Sequence, residues 1–98
     1  MSWMQILETA VEVGVAFSLG NQIGKWAEMD PSAGDRAVRE YVESSGTAAV
    51  DAMDTAFFDA AKFAVVPARR VRILRLYAYF KVVEYARFGE FRGFPRIA

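Results

Sequence analysis

The chain has 98 residues, with 12 acidic and 12 basic side chains, no cysteine and no histidine. That length supports one modest core and not two. The absent cysteine excludes disulfides and thiolate chemistry; the absent histidine removes the commonest general base, metal ligand and pH switch, and a zinc site would have to be all carboxylate.

Hydrophobic residues make up 54 % of the chain, above the roughly 45–50 % of ordinary globular domains, a first sign of apolar surface covered from outside. No run reaches about 18 uncharged apolar residues. The nearest, residues 13–24, contains Ser18, Asn21 and Gln22, which disfavours a spanning helix and allows an interfacial one. Met1 leads directly into a helix start, without a basic segment and small-residue cleavage site, so no secretory signal is read and an intracellular or virion-associated location is expected. Residues 1–60 carry ten acids against three bases, and residues 61–98 nine bases against two acids. Such halves suit nucleic acid, an anionic membrane, head-to-tail contact between copies, or pairing within one monomer.

Ser2 and Gln5 form a capping box, with Met1 placed to staple onto Ile6, and Asp30-Pro31 ends the helix they begin. The first helix is thus predicted over residues 3–28. Its apolar face changes sides near Gly14–Gly20: Trp3, Ile6, Leu7, Ala10 and Phe17 share one face, whereas Val15, Leu19, Ile23 and Trp26 share the other. A kink at glycine or a handover between two packing partners explains the switch, and the second is favoured. Ala16, Gly20 and Gly24 add a small-residue row suited to close helix approach.

A second helical region is predicted over 32–66, starting at Ser32 or, with Pro31 at the first position, just after Asp30. Ala37, Val38, Tyr41, Val42 and Ser45 face inward; Arg36, Arg39, Glu40 and Glu43 face out. Ser44-Ser45-Gly46-Thr47 offers a break with Thr47 as a new cap, so the region reads as one helix or two. Beyond it, Ala48, Ala52, Ala56, Ala60 and Ala64 form a ridge, with Asp51, Asp54, Asp59 and Lys62 on the opposite, solvated face. Residues 68–88 form a third helix, apolar all round between Val71 and Phe88 except at Lys81 and Glu84. A helix apolar on every side is expected to be buried on every side, although the Val, Ile, Tyr and Phe content also fits a strand. Residues 89–98 read as a non-helical arm in which phenylalanine and arginine alternate. The expected fold is therefore all-α: one domain over 1–98, a small bundle of three to four helices with an aromatic C-terminal arm.

No chemistry stands out. Asp51, Asp54 and Asp59 lack the glycine-bearing loop that wraps calcium, and Glu8 and Glu12 sit one turn apart near a helix start that tolerates them. No phosphate-binding glycine loop or nucleophile motif occurs. The expectation is a protein with no catalytic residues, no cofactor, no metal and no small-molecule substrate.

What the chain does offer is contact surface. It reads as a non-enzymatic assembly subunit that packs against copies of itself or other subunits, as a virion or filament component would. The expected interface comprises Trp3, Phe17, Leu19, Gly20, Ile23, Gly24, Trp26, Phe58, Tyr77, Phe80, Phe88, Phe91 and Phe94, because aromatic residues dominate interface anchors. Beside it lies a basic patch of Arg69, Arg70, Arg72, Arg75, Arg87, Arg92 and Arg96. One alternative is membrane association through the apolar third helix and its arginine flank. The other is nucleic-acid binding or packaging through the basic, aromatic C-terminal third, against which the pI near 6.2 weighs.

Overall fold

The computed structural model describes residues 18–90, which form helices and short connections, with no strand among them. Four helices follow in order: α1 over residues 18–28, α2 Pro31–Ser44, α3 Thr47–Phe63 and α4 Pro67–Phe88. The chain is the small all-α bundle that its sequence led us to expect. Trp3, Phe17, Phe91, Phe94, Arg92, Arg96, the change of face in the first helix and the C-terminal arm lie outside the described residues.

Each connection has a local cause. Asp30 is extended (φ −51°, ψ 138°) because the ring of Pro31 disfavours the helical region for the residue before it. Pro31 then opens α2 at the first position, where its missing N–H is no loss. Ser32 does not start the helix; its Oγ donates to Asp30 Oδ2 at 2.8 Å. Gly34 is needed one turn in, since a Cβ there would lie 3.0 Å from the Trp26 carbonyl oxygen. At Ser45 and Gly46 the backbone is extended (ψ 152° and 169°), so 32–66 is two helices. Thr47 is the first residue of α3 and Gly46 its N-cap, which corrects the expected role of Thr47 as the cap. Pro67 acts as Pro31 does: Ala64 and Val66 are extended, and α3 stops at Phe63 rather than reaching 66. Gly89, at φ 74°, closes α4 by donating its N–H to the Tyr85 carbonyl at 2.8 Å, a conformation that favours glycine.

α4 packs against both α2 and α3. Rings from all four helices meet around Phe57: Trp26 stacks on it at 6.1 Å between centroids and Tyr77 at 5.6 Å, Phe80 lies tilted against it at 5.2 Å, and Tyr41 meets Trp26 edge-on at 5.8 Å. Such pairs add about 0.5–1.5 kcal/mol each beyond burial. Val38, Val42, Val50, Met53, Ile73 and Leu76 fill the space around them.

Two expectations are corrected. Asp54 belongs to the core and not to a solvated face; it follows Val50 by four residues and precedes Phe57 by three, which puts it on the same side of the helix. α4 is not buried on every side: Val71, Leu74, Val82 and Tyr85 are 47–65 % exposed. Three helices cover only the arc centred on Ile73, Phe80 and Glu84.

The opposite charges of the two halves meet inside the monomer. Arg69 pairs with Glu28 at 3.4 Å, Arg75 with Asp35 at 3.0 Å and Lys81 with Asp54 at 3.5 Å. The first two pairs are partly exposed, so each adds no more than about 1 kcal/mol, but they set the acidic first half against α4.

Candidate interaction surface on α4 and the charges beneath it

Besides the arc it buries, α4 carries a second apolar arc that faces solvent. Pro67, Val71, Leu74, Ala78, Val82 and Tyr85 are exposed and, at about 100° per residue, fall within one narrow arc opposite the core. No charged side chain interrupts that arc. From Pro67 to Tyr85 it runs about 27 Å along the helix. Phe63, Val65 and Val66 extend the exposed apolar surface past its N-terminal end. On the α3 side a shallow groove of about 340 Å³ borders it, lined by Phe58, Ala61, Lys62, Arg70, Leu74 and Tyr77.

Beneath the surface, α3 and α4 bring buried charges together. Asp54, Lys81 and Glu84 are 3, 5 and 0 % exposed. Lys81 Nζ lies 2.8 Å from Glu84 Oε1 and 3.5 Å from Asp54 Oδ2, bridging the two carboxylates, and the Tyr77 hydroxyl donates to Asp54 Oδ1. The ammonium also sits 5.9 Å from the Tyr77 ring centroid. Burying three charges is costly unless each finds opposite charge or hydrogen bonds, and Lys81 supplies both to its neighbours. This cluster combines an ammonium, two carboxylates and a phenol, the groups an acid–base site would use. The bordering groove, however, is lined by Tyr77 and by none of Asp54, Lys81 or Glu84. Among the described residues no group of three or more acids forms a metal site.

The expected interface residues divide differently than their chemistry suggested. Ile23, Gly24, Trp26, Tyr77 and Phe80 are buried in the chain's own core, and Leu19 and Phe88 pack against it half-buried. In the monomer they form or border the core, and Tyr77 also lines the groove. Gly20 is half-buried, and a Cβ on it would meet nothing within 4 Å, whereas one on Gly24 would meet only the Arg69 guanidinium. Among the described residues, the small-residue row therefore brings no backbone of a second helix close at these two positions. Phe58 is half-buried beside the groove.

Most of the basic patch is likewise engaged. Besides the Arg69 and Arg75 ion pairs, Arg70 donates to the Ala64 carbonyl at 2.6 and 3.1 Å, closing the C-terminal end of α3. Arg87 reaches the Val42 and Ser45 carbonyls and so ties α4 to the end of α2. Arg72 is exposed. On α2, Arg39 donates to the Tyr79 hydroxyl at 2.6 and 3.0 Å, and that bond pushes the guanidinium pKa further above its ordinary value. Residues Val71, Leu74, Ala78, Val82 and Tyr85 were not among those the sequence singled out. The signal was there as an uncharged stripe, hidden because the rest of the helix is apolar as well.

No family model matches the chain, and searches of curated proteins and of solved structures found no match either.

Proposed function

We propose that this chain is a non-enzymatic subunit that assembles through the outer face of α4. The observation that carries the reading is the second apolar face of that helix: Ile73, Leu76, Phe80 and Val83 fill the core, while Val71, Leu74, Ala78 and Val82 form an uncharged stripe that faces solvent. Scattered exposed hydrophobics are ordinary, but a contiguous apolar patch usually marks an interaction site.

Protein is favoured over lipid and nucleic acid as the covering surface. A helix lying on a bilayer needs free cations beside its apolar face to meet headgroups, yet Arg70 and Arg75, which flank the stripe, bind the chain's own carbonyl and carboxylate groups. Arg69, Arg70, Arg75 and Arg87 already bind groups of the chain itself, so a phosphate would have to compete for them, and Arg72 is the exposed arginine beside them. No helix among the described residues is long and apolar enough to cross a membrane.

Multi-angle light scattering of the full chain from about 1 to 200 µM, beside the variant Leu74→Glu, tests the reading. Mass rising above the 10.9 kDa of one chain, with the variant held at that mass, supports it. A wild type that stays at one chain's mass throughout overturns it, and recovery on liposomes without self-association transfers the face to lipid.

A further inference from the structure

We infer that the occupant of the α4 face is a second copy of this chain, laid antiparallel across it about a two-fold axis at Ala78. The inference rests on the assembly reading above and specifies its partner and register.

The first support is the spacing of the stripe. Val71, Leu74, Ala78, Val82 and Tyr85 follow one another at intervals of three, four, four and three residues. Leaving out Pro67 at the helix start, whose mirror position is Gly89 just past the helix end, that series reads the same in both directions about Ala78. A two-fold contact requires the same patch on both copies, with residue i meeting j and j meeting i. Antiparallel pairing about Ala78 meets that condition: Val71 faces Tyr85, Leu74 faces Val82, and Ala78 faces itself. The smallest side chain of the stripe thus lies at the crossing point, where two helices come closest. The average interval of 3.5 residues keeps the stripe on one seam along the whole contact.

Charge selects the direction. Arg69, Arg70, Arg72 and Arg75 lie in the first half of α4, whereas Lys81, Glu84, Arg87 and Glu90 at and beyond its second half cancel. Arg69 and Arg75 already pair with Glu28 and Asp35 of their own chain, so parallel pairing would chiefly set Arg70 and Arg72 beside the same two. Antiparallel pairing lays them beside a neutral end. The first turn of α4 also holds no acid, contrary to the preference of a helix N-terminus for negative charge. The carboxyl end of an antiparallel neighbour supplies that missing negative potential. Past the N-terminal end of the stripe, the exposed Phe63, Val65 and Val66 add apolar area beyond that of the helix itself.

Cysteine cross-linking in the full chain tests the register, because the natural sequence contains no cysteine. Ala78 is exposed, so Ala78→Cys leaves the core untouched, as a circular-dichroism melt will verify. Under glutathione disulfide, Ala78→Cys is expected to form a covalent dimer at least tenfold faster than Val71→Cys alone. In the antiparallel pair the two Val71 positions stand about 21 Å apart along the helices, far beyond disulfide reach. An equimolar mixture of Leu74→Cys and Val82→Cys proteins is expected to give the mixed dimer in excess over either self-linked one. Self-linking of Val71→Cys as fast as that of Ala78→Cys means a parallel pair and overturns the inference. Self-association by light scattering without a fast Ala78→Cys link also overturns it, while leaving the assembly reading intact. A chain that stays monomeric at every concentration overturns both.

Discussion

α2 and α4 lie side by side and differ in what they leave to solvent. α2 buries Val38 and Val42 and turns Arg36, Arg39, Glu40 and Glu43 to solvent, as a surface helix complete within its own monomer should. α4 buries Lys81 and Glu84 among the rings and leaves Val71, Leu74, Ala78 and Val82 outside. The monomer satisfies both faces of α2 but only one of α4. A fold can close its core and still leave one helix with a second apolar face, and that second face is where external contact is expected.

The comparison can be broken most severely from the inside. Lys81→Met leaves Asp54 and Glu84 as two buried carboxylates without their shared cation, and breaking a buried pair in this way costs about 3–5 kcal/mol. In a domain of this size each kcal/mol shifts the melting midpoint by about 4–8 °C, so a thermal melt should show a fall of tens of degrees. Replacing all three charges together, as Asp54→Leu, Lys81→Met and Glu84→Leu, should be milder than the single change, because no buried charge is left behind. A triple variant less stable than Lys81→Met would mean that the cluster holds the core in register rather than merely being tolerated there.

Val38→Ala empties part of the inner face of α2 and should destabilise the monomer by about 2 kcal/mol, read from urea denaturation. The matching change on α4, Val82→Ala, should alter the stability of the dilute monomer by no more than about 0.5 kcal/mol and weaken self-association instead. Equal effects of the two changes at micromolar concentration would erase the distinction between the helices.

The smallest effect concerns pH. Burial pushes the Tyr41 phenol above its ordinary value of 10.0, against the opposing effect of a hydrogen bond with Ser45. The phenol donates to the Ala49 carbonyl at 3.1 Å. A pKa raised in the folded state contributes stability below the unfolded value, and that contribution is lost as pH rises through the folded one. Tyr41→Phe should therefore show a shallower loss of stability above about pH 10 than wild type. Parallel profiles would mean that folding does not raise the pKa of the Tyr41 phenol.

Where the wheel has a phase, the sequence shows which side is inside; α2 is such a case, and so is the half of the first helix that carries Ile23 and Trp26. α4 has no such phase, because apolar residues surround it and only tertiary packing selects the inward arc. That is why its exposed stripe was not legible. Asp54 was misplaced for another reason: it was grouped by chemistry with Asp51 and Asp59, although its position relative to Val50 and Phe57 puts it on the core side. Trp26, Tyr77 and Phe80 were read as partner anchors because interfaces and cores favour the same large rings, and here the core took them. The pairing of opposite charges between the two halves could be read as one of several outcomes, and Glu28–Arg69 and Asp35–Arg75 realise it.

The most direct test follows the methyl groups of Val38, Val42, Val71, Leu74 and Val82 by NMR with a soluble paramagnetic probe, in dilute and concentrated samples. Covering of the outer α4 face should leave Val38 and Val42 shielded at all concentrations, while Val71, Leu74 and Val82 pass from broadened in the dilute sample to shielded in the concentrated one. Methyl signals of Val71, Leu74 and Val82 that stay equally broadened at both concentrations would contradict the covering of that face by another copy of the chain.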